Sequence, residues 1–215
     1  FSVGWAQTVP PCTLEITDAE TFARDWTVID VNSNVSANTW AYNDGNAMYT
    51  QDKSNAADDW LIAPAVTLEA GKAYKVSAYV KHSSTFGSDK QKIELKIGTA
   101  PTVEGLTTRL VYDESFQSRL FVEKSGTFSP AESGVFYVGL RCYSGSYMGD
   151  LYFQKIVIEE APVYPVQITD LSIVAGERGA MSATLSWTWP SSDHLGGALS
   201  KDRKSTRLNS SHCIV

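Results

Sequence analysis

Val135-Phe136-Tyr137-Val138-Gly139-Leu140-Arg141-Cys142 and Leu151-Tyr152-Phe153-Gln154-Lys155-Ile156-Val157-Ile158 are rich in β-branched and aromatic residues. Such residues favour the pleated surface of a strand. Tyr74-Lys75-Val76-Ser77-Ala78-Tyr79-Val80 and Lys92-Ile93-Glu94-Leu95-Lys96-Ile97-Gly98 alternate large apolar with polar or small residues. Strict alternation gives a strand one buried and one wet face, the pattern of an antiparallel sheet. Turn chemistry separates the runs at Asn43-Asp44-Gly45-Asn46, Glu69-Ala70-Gly71-Lys72, Ser83 to Asp89 and Ser144-Gly145-Ser146. Sustained helical periodicity is missing, although Asp18 to Arg24 suits one short turn. The predicted fold class is all-β, an antiparallel β-sandwich or jelly roll over residues 13–160.

Composition narrows the function classes. The 215 residues are 43% hydrophobic and 20% charged, enough to bury a core. A net charge of −6 offers no basic field for nucleic acid. No apolar run is long enough to span a bilayer. Three His and three Cys exclude a His-rich metal centre and a disulfide-dense scaffold. Aromatics at 11% suit β architecture or a binding surface.

The two ends read differently from the middle. Phe1-Ser2-Val3-Gly4-Trp5-Ala6-Gln7 has small residues at Gly4 and Ala6, the spacing of a signal-peptidase site with Gln7 as the new N-terminus. Residues 1–12 therefore read as a signal remnant and leader, which implies export. Ala161-Pro162-Val163-Tyr164-Pro165 marks a boundary, because two prolines cannot continue a central strand. Alternating runs resume at 166–174 and 183–190. Residues 202–212 resemble the translation of a sequencing-adapter oligonucleotide, so 202–215 reads as a non-native tail.

Several residues are candidates for chemistry. Asp30, Asn32 and Asn34 have the D-x-N-x-N spacing of a calcium loop, without the Gly and Glu of an EF-hand. The other reading is an Asx turn that caps a strand. Trp40 and Tyr42, before the Asn43-Asp44-Gly45 turn, are candidates for a sugar-stacking platform, and so are Tyr143 and Tyr147 in a Gly/Ser-rich loop. Core packing competes at Trp40 and is preferred for Trp26, Trp60 and Trp187. His82, beside Ser83-Ser84, reads as an exposed turn histidine. No G-x-S-x-G or H-E-x-x-H motif occurs. Asp58-Asp59 are consecutive and face apart, unlike a paired acid and base.

Phe22, Trp26-Thr27-Val28-Ile29-Asp30, Trp40, Asp58-Asp59-Trp60-Leu61-Ile62-Ala63-Pro64 and Tyr137 to Arg141 together resemble the cleaved-adhesin, or choice-of-anchor J, domain. The resemblance covers residues 13–160 and implies a MAM-like jelly roll from a secreted or surface protein of anaerobic bacteria. Residues 161–201, through Thr169-Asp170-Leu171 and Leu185-Ser186-Trp187-x-x-Pro190, resemble a linker and the first part of a fibronectin type III domain.

The resemblance implies a noncatalytic adhesion module at the cell surface or outside the cell. Its partners would be a glycan or a host or matrix protein, and other domains of the same polypeptide. Nucleic acid and membrane insertion are not expected. The alternative is a spacer or accessory module attached to a secreted protease or glycosidase. Relatives bind calcium partly through acids on the final strand, where this chain has Tyr152 and Gln154, and Asp150 is the nearby substitute. Export and the fold would permit Cys12 and Cys142 to pair, which is left open.

Overall fold

A computed structural model describes residues 8–33, 38–84, 86–179, 182–194 and 199. The chain divides into two compact units, 1–161 and 162–215. The first is a β-sandwich. Its strands in chain order are β1 (Cys12–Glu15), β2 (Thr27–Asp30), β3 (Trp40–Asn43), β4 (Asn46–Tyr49), β5 (Asp59–Ile62), β6 (Val66–Leu68), β7 (Tyr74–His82), β8 (Gln91–Gly98), β9 (Thr108–Phe116), β10 (Val122–Phe128), β11 (Gly134–Cys142) and β12 (Leu151–Glu160). One helix, α1 (Ala19–Asp25), follows β1. Asp18 caps it by accepting the Thr21 N–H at 2.7 Å, and Phe22 is buried.

Two six-stranded antiparallel sheets face each other. One runs β10-β7-β12-β4-β3, with β1 also on β12. The other runs β2-β5-β11-β8-β9, with β6 also on β11. The inward residues of β7 (Tyr74, Val76, Ala78, Val80) and of β8 (Ile93, Leu95, Ile97) meet in one core with Leu140, Phe153, Ile156 and Ile158. Trp26 lies edge-on to Phe153 at 5.2 Å between ring centroids. The short runs fold as strands because alternate side chains are taken from water on one face only.

The Asn43-Asp44-Gly45-Asn46 turn closes β3 onto β4 with Asn43 opposite Asn46. Asp44 has φ +45° and Gly45 φ +75°, the pair of left-handed residues that a two-residue hairpin needs.

In the second unit, β13 (Ser172–Ala175) pairs with β14 (Ala183–Ser186). Trp187 is half-buried and lies 5.7 Å from Trp189, so it fills no enclosed core, contrary to expectation. The two-stranded ladder gives it no opposing sheet among the described residues. The signal-like segment 1–7 and the adapter-like tail 202–215 lie outside the described residues.

Gly45 has open space around its missing Cβ. Gly45→Ala should therefore cost only the conformational strain of positive φ, about 1 kcal/mol. Gly134→Ala, equally uncrowded and without positive φ, should change stability far less. Urea titrations of both variants check the difference.

Candidate functional site

The sheet β2-β5-β11-β8-β9 turns one face to the core and the other outward. Register places Ile29, Trp60, Arg141, Glu94 and Tyr112 in one line across all five strands on the outward face. Below it run Thr27, Ile62, Gly139, Lys96 and Arg109. Gly139 lets this face be covered: a Cβ there would lie 2.4 Å from Leu106 Cδ1 and 3.1 Å from Trp60 Cε3. Trp60, Ile62 and Leu106 thus form a second, smaller apolar cluster outside the main core.

Arg141 organises the line. Its Nε and Nη2 donate to Asp58 Oδ1 and Oδ2 at 2.7 and 2.8 Å. This bidentate geometry fixes the guanidinium plane. Its third nitrogen, Nη1, reaches the buried Glu94 at 3.5 Å. Lys96 and Arg109 each stand 3.7 Å from the same carboxylate. The Arg141 guanidinium also lies 5.6 Å from the Trp60 ring and 5.2 Å from the Tyr143 ring. Three cations around one buried carboxylate leave an excess of hydrogen-bond donors on this face.

Tyr143 follows β11 on its outward side. Its ring stacks on Tyr112 with centroids 6.0 Å apart and planes 21° apart. Tyr112 is 51% exposed, and Arg109 sits 4.8 Å from its ring. The Tyr143 hydroxyl is buried without a hydrogen-bond partner. Burial first, then the neighbouring Tyr112, pushes its phenol pKa up. An exposed phenol beside fixed cations can stack on a sugar's C–H face and donate to its hydroxyls.

The other predicted residues are placed elsewhere. Trp40 is buried, donates Nε1–H to the Asp59 carbonyl at 3.2 Å and packs edge-on to Tyr49. It cannot stack on a sugar, because its position on β3 faces the core. Tyr42 is half-buried against that core. Tyr147 is exposed on the 143–150 loop at φ +62°, and its N–H donates to the Asp52 carbonyl at 2.8 Å.

Asp30 Oδ1 accepts the Ser33 N–H at 2.8 Å, the strand-capping turn that competed with the calcium loop. Asn32 donates to the Ala56 carbonyl at 2.7 Å, and Asp150 accepts from the Gln51 N–H at 3.0 Å. Asn34 lies outside the described residues. Among the described residues no three acidic, His or Cys side chains are grouped to hold a metal ion. Asp30, Asn32 and Asp150 are thus each bonded to a backbone group.

His82 is buried rather than exposed. The inward alternation of β7 continues one pair past Val80 and carries it inside. His82 Nε2 lies 2.5 Å from the Met148 carbonyl. Gln91 donates to the Met148 and Gly149 carbonyls, and its Oε1 accepts from Cys142 Sγ at 3.3 Å and from Ser144 Oγ. Burial pushes the Cys142 thiol up to about 12, so it stays protonated and unreactive. Cys12 and Cys142 are both free, on strands of opposite sheets.

Asp58 and Asp59 do face apart. Asp58 meets Arg141 outside, while Asp59 is fully buried beneath Trp40. Sequence reasoning missed Tyr112, Glu94 and the pairing of Arg141 with Asp58. Only the outward phase of each strand hinted at them.

No protein-family model matches the chain, and no curated protein matches it. Solved structures do. The K3 cleaved adhesin domain of Lys-gingipain from Porphyromonas gingivalis W83 superposes with a TM-score of 0.53 at 11% identity, over 67% of this chain and 97% of that one. The K1 cleaved adhesin domain of the same protein gives 0.50 at 15% identity, over 70% and 99%. At these identities the likeness is one of fold, and it matches the fold that the sequence resemblance implies.

Burial raises the Asp59 carboxyl to about 6, and Asp30 and Asp58 add to the shift. The unfolded chain releases that proton near the ordinary 3.8. Between these values the native state holds the extra proton. Its contribution is full below the lower value and is lost as pH rises through about 6. The loss should be on the order of 1–3 kcal/mol. Asp59→Asn should flatten that part of the stability–pH curve, as urea titrations from acid to neutral pH would read.

Proposed function

We propose that residues 13–160 form a noncatalytic ligand-binding module of a larger, exported bacterial surface protein. Its ligand is a glycan or a host protein, held on the outward face of the β2-β5-β11-β8-β9 sheet. The observation that carries this reading is the Tyr112–Tyr143 stack beside Arg141, Arg109 and Lys96. The rings supply a flat apolar platform, and the cations supply directional donors whose positions are fixed by Glu94 and Asp58. A prearranged site loses little side-chain entropy on binding. The fold shared with the cleaved adhesin domains supports the same reading. The buried, protonated Cys142 and the enclosed His82 favour binding over nucleophilic catalysis.

Glycan arrays and immobilised matrix proteins should identify a ligand for the intact chain. Tyr112→Ala and Tyr143→Ala should then each weaken binding about tenfold or more, with Tyr112→Ala leaving the melt nearly unchanged. A chain that binds nothing on either panel would leave the spacer reading in its place.

Calcium bracing of the loops, which rests on the Asp30–Asn34 spacing, has its own test. Melting in calcium should exceed melting in chelator if the brace exists, and coincident curves would remove it.

A further inference from the structure

We propose that the ligand of the sheet face is an acidic glycan, and that Arg109 receives its carboxylate or sulfate group. The proposal rests on the reading of the β2-β5-β11-β8-β9 face as the binding face and names the class of ligand it takes.

The face holds donors that the protein itself does not satisfy. Arg141 is fully engaged: Nε and Nη2 donate to Asp58, and Nη1 reaches Glu94 Oε2. Lys96 Nζ and Arg109 Nε both face the other oxygen, Glu94 Oε1, each at 3.7 Å. That distance holds an ion pair but is too long for a hydrogen bond. Their remaining contacts are with rings: Lys96 lies 5.5 Å from the Trp60 centroid, and the Arg109 guanidinium 4.8 Å from that of Tyr112. Among the described residues, neither side chain donates a hydrogen bond to a protein acceptor. Nε is the Arg109 nitrogen turned to Glu94, so both terminal nitrogens are left for a ligand.

Depth separates the signs. Side-chain exposure is 7% for Glu94 and 24% for Asp58, against 55% for Arg109. The carboxylates lie beneath and the guanidinium lies above. Other acids stand nearby but do not take its donors. Glu114 is 3.8 Å from Lys92, Asp113 accepts from Lys124, and Glu104 is exposed on the 99–107 loop without an ion pair to Arg109 or Lys96. Net charge on the face is therefore close to balanced, and the donor geometry selects the ligand. A guanidinium fork matches a carboxylate or sulfate through two parallel bonds. An ionised carboxylate only accepts. A neutral sugar hydroxyl also donates, and the carboxylates that would accept from it are committed to Arg141 below.

The test is affinity electrophoresis of the full chain through polygalacturonate and its fully methyl-esterified form, and through dextran sulfate and dextran. Each pair keeps the backbone and removes the charge. At least one polyanion should retard the chain about tenfold more strongly than its neutral counterpart. Retention by polygalacturonate assigns a carboxylate, and retention by dextran sulfate assigns a sulfate. Arg109→Ala should cost about tenfold in that affinity. Its melt should stay nearly unchanged, because the side chain is exposed and Arg141 and Lys96 remain beside Glu94. Lys81→Ala, on the outward face of the other sheet, should bind as the unaltered chain does. Four outcomes would overturn the proposal: equal retention by the neutral counterpart, retention that Arg109→Ala leaves intact, an equal loss in the Arg109 and Lys81 variants, or no retention by either polyanion. If a neutral glycan or a matrix protein then binds through Tyr112, the sheet-face reading stands without this ligand class. A chain that binds nothing at all overturns both.

Discussion

Both sheets depend on two long strands, β11 in one and β12 in the other, which the 143–150 loop joins. β11 carries β5 and β6 along one edge and β8 along the other. β12 does the same in the opposite sheet with β7 on one side and β1 and β4 on the other. Four short strands, β1, β4, β5 and β6, therefore gain a hydrogen-bond partner from one of two templates, and β2 and β3 pair in turn with β5 and β4. A four-residue strand such as β5 could not persist alone. It persists because all four of its residues are buried against β2 and β11. The hydrophobic effect fixes which face of each template points inward, and a one-residue slip would invert it.

That alternation builds the outward face as a by-product of the core. Once Leu140 and Cys142 must point inward, Arg141 and Tyr143 must point outward. The same phase sends Leu95 in and Glu94 out, and Leu61 in and Trp60 out. A carboxylate so deeply covered is costly unless its neighbours are cationic. Arg141, Lys96 and Arg109 meet that need from three different strands. Specificity of register and the polar face thus support one another: a shifted β8 would turn Glu94 and Lys96 into the core and strand Arg141 and Arg109 outside.

What the sequence carried and what it did not follows from range. The runs at 74–80, 92–98, 135–142 and 151–158 are strands, Asp18 caps a short helix, and Asn43 to Asn46 is a hairpin turn. These signals are local. β9 and β10 were harder to read, because edge strands with Arg109, Asp113, Glu114, Glu123 and Lys124 look like solvated loops. His82 was misread because one polar residue at a strand end does not reveal its phase. Tyr143 was legible as a loop aromatic. Its partner Tyr112 was not, nor was the Asp58–Arg141 pair, whose members lie 83 residues apart. Such contacts exist only once the strand order is known.

The strand order also separates the outward sheet face from the loop end of the sandwich. The face from β5 to β9 is set by side chains on strands paired on both flanks, save the edge strand β9, so its geometry is tied to the stability of the whole sandwich. The loop end is set by side chain–backbone bonds among Gln51, Ser83, Gln117 and Asp150. Substitution at Phe86 or Leu120 breaks none of these bonds and opens no cavity. The tips can therefore change chemistry without cost to the core, whereas Arg141 cannot change without leaving Asp58 an unpaired, half-enclosed charge and Glu94 with only Lys96 and Arg109 beside it. A face coupled to the core suits recognition of one ligand shape.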